Sequence, residues 1–171
     1  MIKVVKSALS YSAITKIFEL YHNSTNLVKL EQDDNVVDRH TIGLIGKFLL
    51  SKFSREEFAF VWDEIMPVMK HHLNQHVDLV YARVLKYNHG CAIPKHLDAY
   101  AKGNQEPSDI SVIIQITDPA AYTGGAMIVS GQLIELDLGD MIFYTYDVEH
   151  EITPIKNGIR YVINLRCKMV K

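Results

Sequence analysis

Apolar residues recur at three- and four-residue spacing up to about residue 78, then alternate or gather in short β-rich runs to the end of the chain. The first pattern predicts a helix over 8–22, with Ile14, Ile17, Phe18 and Tyr21 on one face, and a second over 36–53 with Ile42, Ile45, Phe48 and Leu49 as its stripe. A third helix is predicted to open at Ser54, because Glu57 stands at the N3 position of a capping box, and to run to Gln75 with Pro67 kinking or splitting it. From Val80 onward LVYARVLKY, IPKHLD, SVIIQIT, GAMIVS, QLIEL, MIFYTY and GIRYVINLRC read as strands. Turn signals such as Asn88-His89-Gly90, Ser130-Gly131, Leu138-Gly139-Asp140 and Asn157-Gly158 separate them. Closely spaced strands with tight turns favour an antiparallel sandwich or barrel over alternating βαβ units.

The chain has 171 residues, 48% of them hydrophobic, enough for one substantial core. The expectation is a single α+β domain over 1–171. In it, 1–78 forms a helical support packed on one face, and 79–171 forms the core of a double-stranded β-helix, the jelly-roll architecture. Eighteen basic side chains against 20 acidic ones, with no basic run, give no signal for nucleic acid as a partner. The N-terminal segment mixes charges with apolar residues and lacks a secretory core, so Cys91 and Cys167 are expected as free thiols in the cytoplasm. No apolar run is long enough to suggest a membrane span.

The chemistry concentrates in the second half. His96 and Asp98 are two residues apart on a strand or its end, so their side chains leave one face and can converge on an ion. His150 follows just after MIFYTY, and two imidazoles with one carboxylate form the set that holds non-haem iron(II) with open positions for oxygen activation. A His-x-Asp tripeptide alone is as readily a surface polar pair. Ten residues beyond His150, Arg160 is flanked by Ile159, Val162 and Ile163, where a solvated charge has little reason to be; its guanidinium fits a dicarboxylate.

Other clusters read as structural. His71, His72 and His76 lie on the third helix without an acidic partner in metalloprotease spacing and read as surface residues. His89 reads as a turn residue, Cys91 as a lone thiol, and Phe58, Phe60, Trp62 and Met66 as a core stripe.

Four elements in order, YNHGCAIPKHLD, TGGAM, LGDMIFY and HEITPIKNGIRYVI, make the stretch 81–165 resemble the Fe(II)/2-oxoglutarate dioxygenase superfamily, and within it the prolyl 4-hydroxylase-like branch. The resemblance implies His96, Asp98 and His150 as iron ligands, Arg160 as the anchor of the 2-oxoglutarate C5 carboxylate, and Tyr87 as a further cosubstrate contact. It also implies oxidative decarboxylation of 2-oxoglutarate with O2, giving succinate and CO2, coupled to hydroxylation of a peptidyl, protein or small-molecule substrate. Two features depart from parts of the superfamily: Val162 stands where some branches carry a small hydroxyl residue, and Arg160 where collagen-type prolyl hydroxylases carry Lys. The alternatives are a non-catalytic cupin-like metal-binding module and an oxygenase acting on a nucleobase.

Three finer expectations complete the reading. Gln115 points into the barrel beside the cosubstrate if Ser111 and Ile113 share its face. Gly124 and Gly125 mark a close backbone approach or a plain turn. Residues 100–108 form a polar loop that could cover a substrate or simply be solvated.

Overall fold

A computed structural model describes residues 1–23, 27–31, 47–98 and 108–170. Within them the chain forms β1 (Ile2–Val5), α1 (Tyr11–Asn23), β2 (Leu27–Glu31), β3 (Lys47–Phe53), α2 (Ala59–Leu73), β4 (Val77–Tyr87), β5 (Ile93–His96) and β6 (Ile110–Gln115). A short 3-10 turn over Pro119–Ala121 leads to β7 (Tyr122–Gly124), β8 (Met127–Val129), β9 (Gln132–Ile134) and β10 (Met141–Thr145). The last strands are β11 (His150–Ile152), β12 (Ile155–Gly158) and β13 (Arg160–Met169). All pairings are antiparallel: a seven-stranded sheet β1-β10-β6-β13-β4-β3-β2, a four-stranded sheet β5-β11-β8-β9, and the pair β12-β7.

The central strands of the large sheet, β10, β6, β13 and β4, pack on both faces. Their outward residues, including Ala82, Val84, Val112, Ile114, Phe143, Ile163 and Leu165, form one apolar cluster with α1 and α2. The alternate residues, including Leu85, Tyr87, Ile113, Ile142, Tyr144 and Val162, form a second with Met127, Val129, Ile152 and Ile155 of the smaller sheets. This double burial explains why β6 reads as a continuous apolar run: all six of its residues are buried.

The helices follow the sequence with two changes at α2. Ser54 and Glu57 make the reciprocal capping-box hydrogen bonds, Ser54 N–H to Glu57 at 2.8 Å and Glu57 N–H to Ser54 Oγ at 3.2 Å. The residues after Ser54 nevertheless form a turn, and the helix proper begins at Ala59. Pro67 lies inside an unbroken helix instead of splitting it. A proline interior to a helix costs about 3 kcal/mol. Val61, Ile65 and Met69 are fully buried on this helix, each contributing about 1.5–3 kcal/mol, which outweighs the loss.

The expected helix over 36–53 is corrected. Residues 36–46 lie outside the described residues, but Lys47–Phe53 is a strand that pairs with β4 on one side and β2 on the other. Closely spaced apolar residues suit either period, and the unpaired backbone edge of β4 decides for the strand. The first 78 residues are therefore not purely helical support, since β1, β2 and β3 extend the large sheet. In the second half the sequence signal missed β7, β11 and β12, strands of three or four residues whose pairing comes from tertiary context. Among the described residues no helix is long and apolar enough to cross a membrane.

Candidate metal and cosubstrate site

His96 ends β5 and His150 opens β11, and the two are paired directly across the ladder. Opposed residues in an antiparallel pair project to the same face, which brings the rings to 4.2 Å between centroids. β5 is an edge strand, which accommodates Pro94. The register shifts between this pair and Ile152–Ile93, placing an extra residue in β5 beside the site. Asp98 follows two residues after His96. Side-chain ligand atoms of His96, Asp98 and His150 all lie within 4.8 Å of one another.

The tautomers are set by the backbone. His96 Nδ1 lies 2.8 Å from the Pro94 carbonyl and His150 Nδ1 3.0 Å from the Val148 carbonyl. A carbonyl only accepts, so each Nδ1 carries the proton and donates. In the neutral form of the ring this leaves the Nε2 lone pair free. These nitrogens face Asp98, at 3.6 Å from Oδ1 for His96 and 3.7 Å from Oδ2 for His150, too far for direct hydrogen bonds. Burial lowers the His150 pKa, with Asp98 opposing in part, so its ring is neutral near pH 7, as a ligand must be. Burial alone raises the Asp98 pKa, but the His96, Arg166 and His150 side chains outweigh it and hold the carboxyl far below the ordinary range. Two imidazoles and one ionised carboxylate on one face fit a divalent ion of the iron(II) class.

Two residues that the sequence reading did not single out hold Asp98. Arg166, on β13, donates through Nη2 to Oδ1 and through Nη1 to Ser111 Oγ, Nη1 is also ion-paired with Oδ2, and the Ser111 hydroxyl donates to Oδ2. Arg166 and Ser111 are direct partners across the β13–β6 ladder. The signal was present: like Arg160, Arg166 is a charge inside an apolar strand, and the period of two puts both on the inward face.

The second cluster lies at the other end of β13. Arg160 is buried and donates from Nε to Gln115 Oε1 at 3.0 Å and from Nη1 to the Gly125 carbonyl at 3.0 Å. Its guanidinium lies over the rings of Tyr87 and Tyr122, 5.7 and 5.9 Å from their centres. Tyr87 is its ladder partner. Gln115 also donates to Tyr122 and to the Thr117 carbonyl, while Ser111 and Ile113 share its inward face as expected. Among the described residues no carboxylate lies within ion-pair distance of Arg160.

The paired glycines are a close approach. A Cβ on Gly124 would sit 2.2 Å from the Pro154 carbonyl oxygen, and one on Gly125 2.3 Å from Ile155 Cδ1. Both have positive φ, which side chains disfavour, and Gly125 thereby offers its carbonyl to Arg160.

The remaining histidines stay outside the site. His71, His72 and His76 are exposed, and His89 bonds the Lys156 carbonyl at 2.9 Å. Cys91 and Cys167 are buried and form no disulfide. Residues 100–107 of the expected loop lie outside the described residues.

The sequence model of the 2OG-Fe(II) oxygenase superfamily matches residues 82–165, which contain every residue of both clusters except Arg166. A PKHD-type hydroxylase of Paraburkholderia xenovorans is 32% identical over 83 residues, 44% of this chain and 37% of that one. The chain thus spans little more than a third of the length of the curated relatives it matches over this stretch. An oxidoreductase of the 2OG-Fe(II) oxygenase family from Burkholderia pseudomallei superposes with a TM-score of 0.73 at 12% identity, over 98% of this chain and 84% of that one. A Pseudomonas putida prolyl-4-hydroxylase superposes at 0.69 and 13% identity, over 99% and 93%. These likenesses give the fold, the double-stranded β-helix of the 2OG oxygenases.

Proposed function

We propose that the protein is an Fe(II)- and 2-oxoglutarate-dependent dioxygenase that hydroxylates a C–H bond of a prolyl, peptidyl or amino-acid substrate, with release of succinate and CO2. The observation that carries this reading is Arg160. A buried guanidinium whose described hydrogen-bond partners are all neutral is costly unless an anion joins it. A metal-only module has no use for such a cation on the same barrel, whereas a dicarboxylate cosubstrate does.

In this reading His96 and His150 Nε2 and the Asp98 carboxylate hold iron(II), which when bound supplies oxygen activation. Arg160 receives the distal carboxylate of 2-oxoglutarate as a charge-assisted pair. Gln115 fixes the guanidinium plane through Nε, and Tyr87 lines the same pocket. The buried surroundings of Leu85, Ile113, Ile142 and Val162 exclude water from the path between the two clusters. The prolyl preference rests on the likeness to the Pseudomonas putida prolyl-4-hydroxylase, which is analogy of fold. Because α1 and α2 share a core cluster with the large sheet, residues 1–171 read as a single catalytic domain. Cys91 and Cys167, which form no disulfide, fit a cytoplasmic setting.

The test is an anaerobic titration with iron(II) and then 2-oxoglutarate, followed by admission of air with a panel of proline-containing peptides and free amino acids. The expected result is a weak visible charge-transfer absorption only when both are present, then succinate release and the gain of one oxygen atom by a substrate. Iron binding with neither absorption nor succinate would remove the cosubstrate and leave the cupin-like module.

A further inference from the structure

Both oxygens of Asp98 are held. Oδ2 accepts from the Ser111 hydroxyl and is ion-paired with Arg166 Nη1, and Oδ1 accepts from Arg166 Nη2. A carboxylate oxygen has two lone-pair directions. Each oxygen keeps one free of a hydrogen bond, with Oδ1 facing His96 Nε2 and Oδ2 facing His150 Nε2.

We infer that Arg166 and Ser111 are positioning residues that fix the plane of the Asp98 carboxylate at the metal site. The inference rests on the metal site of the proposed function and concerns residues to which that function assigns no role. Its physical basis is the fork of the guanidinium. Nη2 donates to Oδ1, while Nη1 pairs with Oδ2 and donates to the Ser111 oxygen, whose hydroxyl donates to Oδ2; together these contacts fix the plane of the carboxylate, which a single ammonium cannot do. Arg166 is anchored in turn by its ladder pairing with Ser111, so the clamp is built into the large sheet while the two histidines come from the small one. A carboxylate held in this way keeps its oxygens turned toward the two Nε2 atoms.

Charge and geometry pull in opposite directions, which makes the idea testable. The positive charge of Arg166 disfavours a nearby cation, so if charge alone mattered, Arg166→Met would bind metal more tightly. If the clamp matters, metal affinity falls, by about 10- to 100-fold for loss of an outer-shell partner of this kind.

The measurement is the dissociation constant for manganese(II) in the intact protein, alongside the thermal midpoint without metal and its rise with metal. Arg166→Met is expected to weaken binding about 10- to 100-fold and Arg166→Lys to recover little of it, because Lys restores charge without the fork. Ser111→Ala, which removes one hydroxyl, is expected to weaken binding several-fold less than Arg166→Met and keeps the test alive if the arginine variants do not fold. A change confined to the metal-free midpoint, with the metal-dependent rise intact, would mean a structural role only and would overturn the inference. So would full recovery by Lys, or unchanged or tighter binding in Arg166→Met and Ser111→Ala. Failure of the unaltered protein to bind manganese(II) would instead refute the metal site itself.

Discussion

His96 and His150 face each other across the β5–β11 ladder, each with its Nδ1 turned to a backbone carbonyl two residues earlier and its Nε2 turned to Asp98. The site is thus ordered by main-chain hydrogen bonds and strand register.

The Asp98–Arg166 pair makes loss of the carboxylate more than a loss of one ligand. Asp98→Ala should abolish metal binding and also leave Arg166 as an uncompensated buried charge, at about 3–5 kcal/mol. The double variant Asp98→Ala with Arg166→Met should regain most of that stability without regaining metal. Urea unfolding of the two variants separates the effects. If the single variant is as stable as the parent, the ion pair is not a buried, matched one.

Arg160 should act on the cosubstrate and leave the metal alone. Replacing it with Ala removes the charge-assisted bonds assigned to the distal carboxylate, each about 1.5–3 kcal/mol, so the KM for 2-oxoglutarate should rise ~100-fold or more. Manganese(II) affinity should change little, because the guanidinium bonds Gln115 and Gly125 and none of the three metal-binding side chains. Equal losses in both measurements would assign Arg160 to the structure of the barrel.

What was legible in the sequence follows from range of interaction. β5, β6 and β13 showed as β-rich runs between turn signals, His96, Asp98 and His150 stood out by ligand type and spacing, and Arg160 stood out as a charge in apolar surroundings. Arg166 offered the same signal between Leu165 and Cys167 but has a role only once β6 places Ser111 opposite it and β5 delivers Asp98. β3 was misread because apolar residues at 48, 49, 50 and 53 satisfy both periods, and the partner that selects the strand lies about thirty residues on in β4. β11 was hidden because three residues pair only through contacts from β5 and β8.

Asp140 ties the N-terminal segment to the turn before β10, and its contribution should depend on pH. It accepts from Lys6 Nζ at 2.7 Å, from the Ser7 N–H at 2.9 Å and from the Asp137 N–H at 2.8 Å. Burial pushes its pKa up, but these hydrogen bonds outweigh it and the net pKa is lowered. A carboxyl depressed in the folded state stabilises fully above its unfolded value and loses that contribution as pH falls through the folded one. Asp140→Asn should therefore cost about 1–3 kcal/mol at neutral pH and progressively less below about pH 4. A pH-independent difference in urea midpoint would mean that shape, and not charge, is what Asp140 supplies.

Tyr21 presents the opposite case, a polar atom whose removal should help. Its hydroxyl is buried with no hydrogen-bond partner among the described residues, and burial pushes its pKa up to about 12. The ring packs edge-on against Tyr161 at 5.5 Å, a contact that phenylalanine retains. Leaving a buried hydroxyl unsatisfied costs about 1–3 kcal/mol, so Tyr21→Phe should hold stability level or raise it within that range. The check is the urea midpoint at unchanged slope, which separates a true stability change from a change in the unfolded chain. A loss of more than about 1 kcal/mol would show that the hydroxyl is bonded in solution and that α1 is held to the sheet by more than its apolar face.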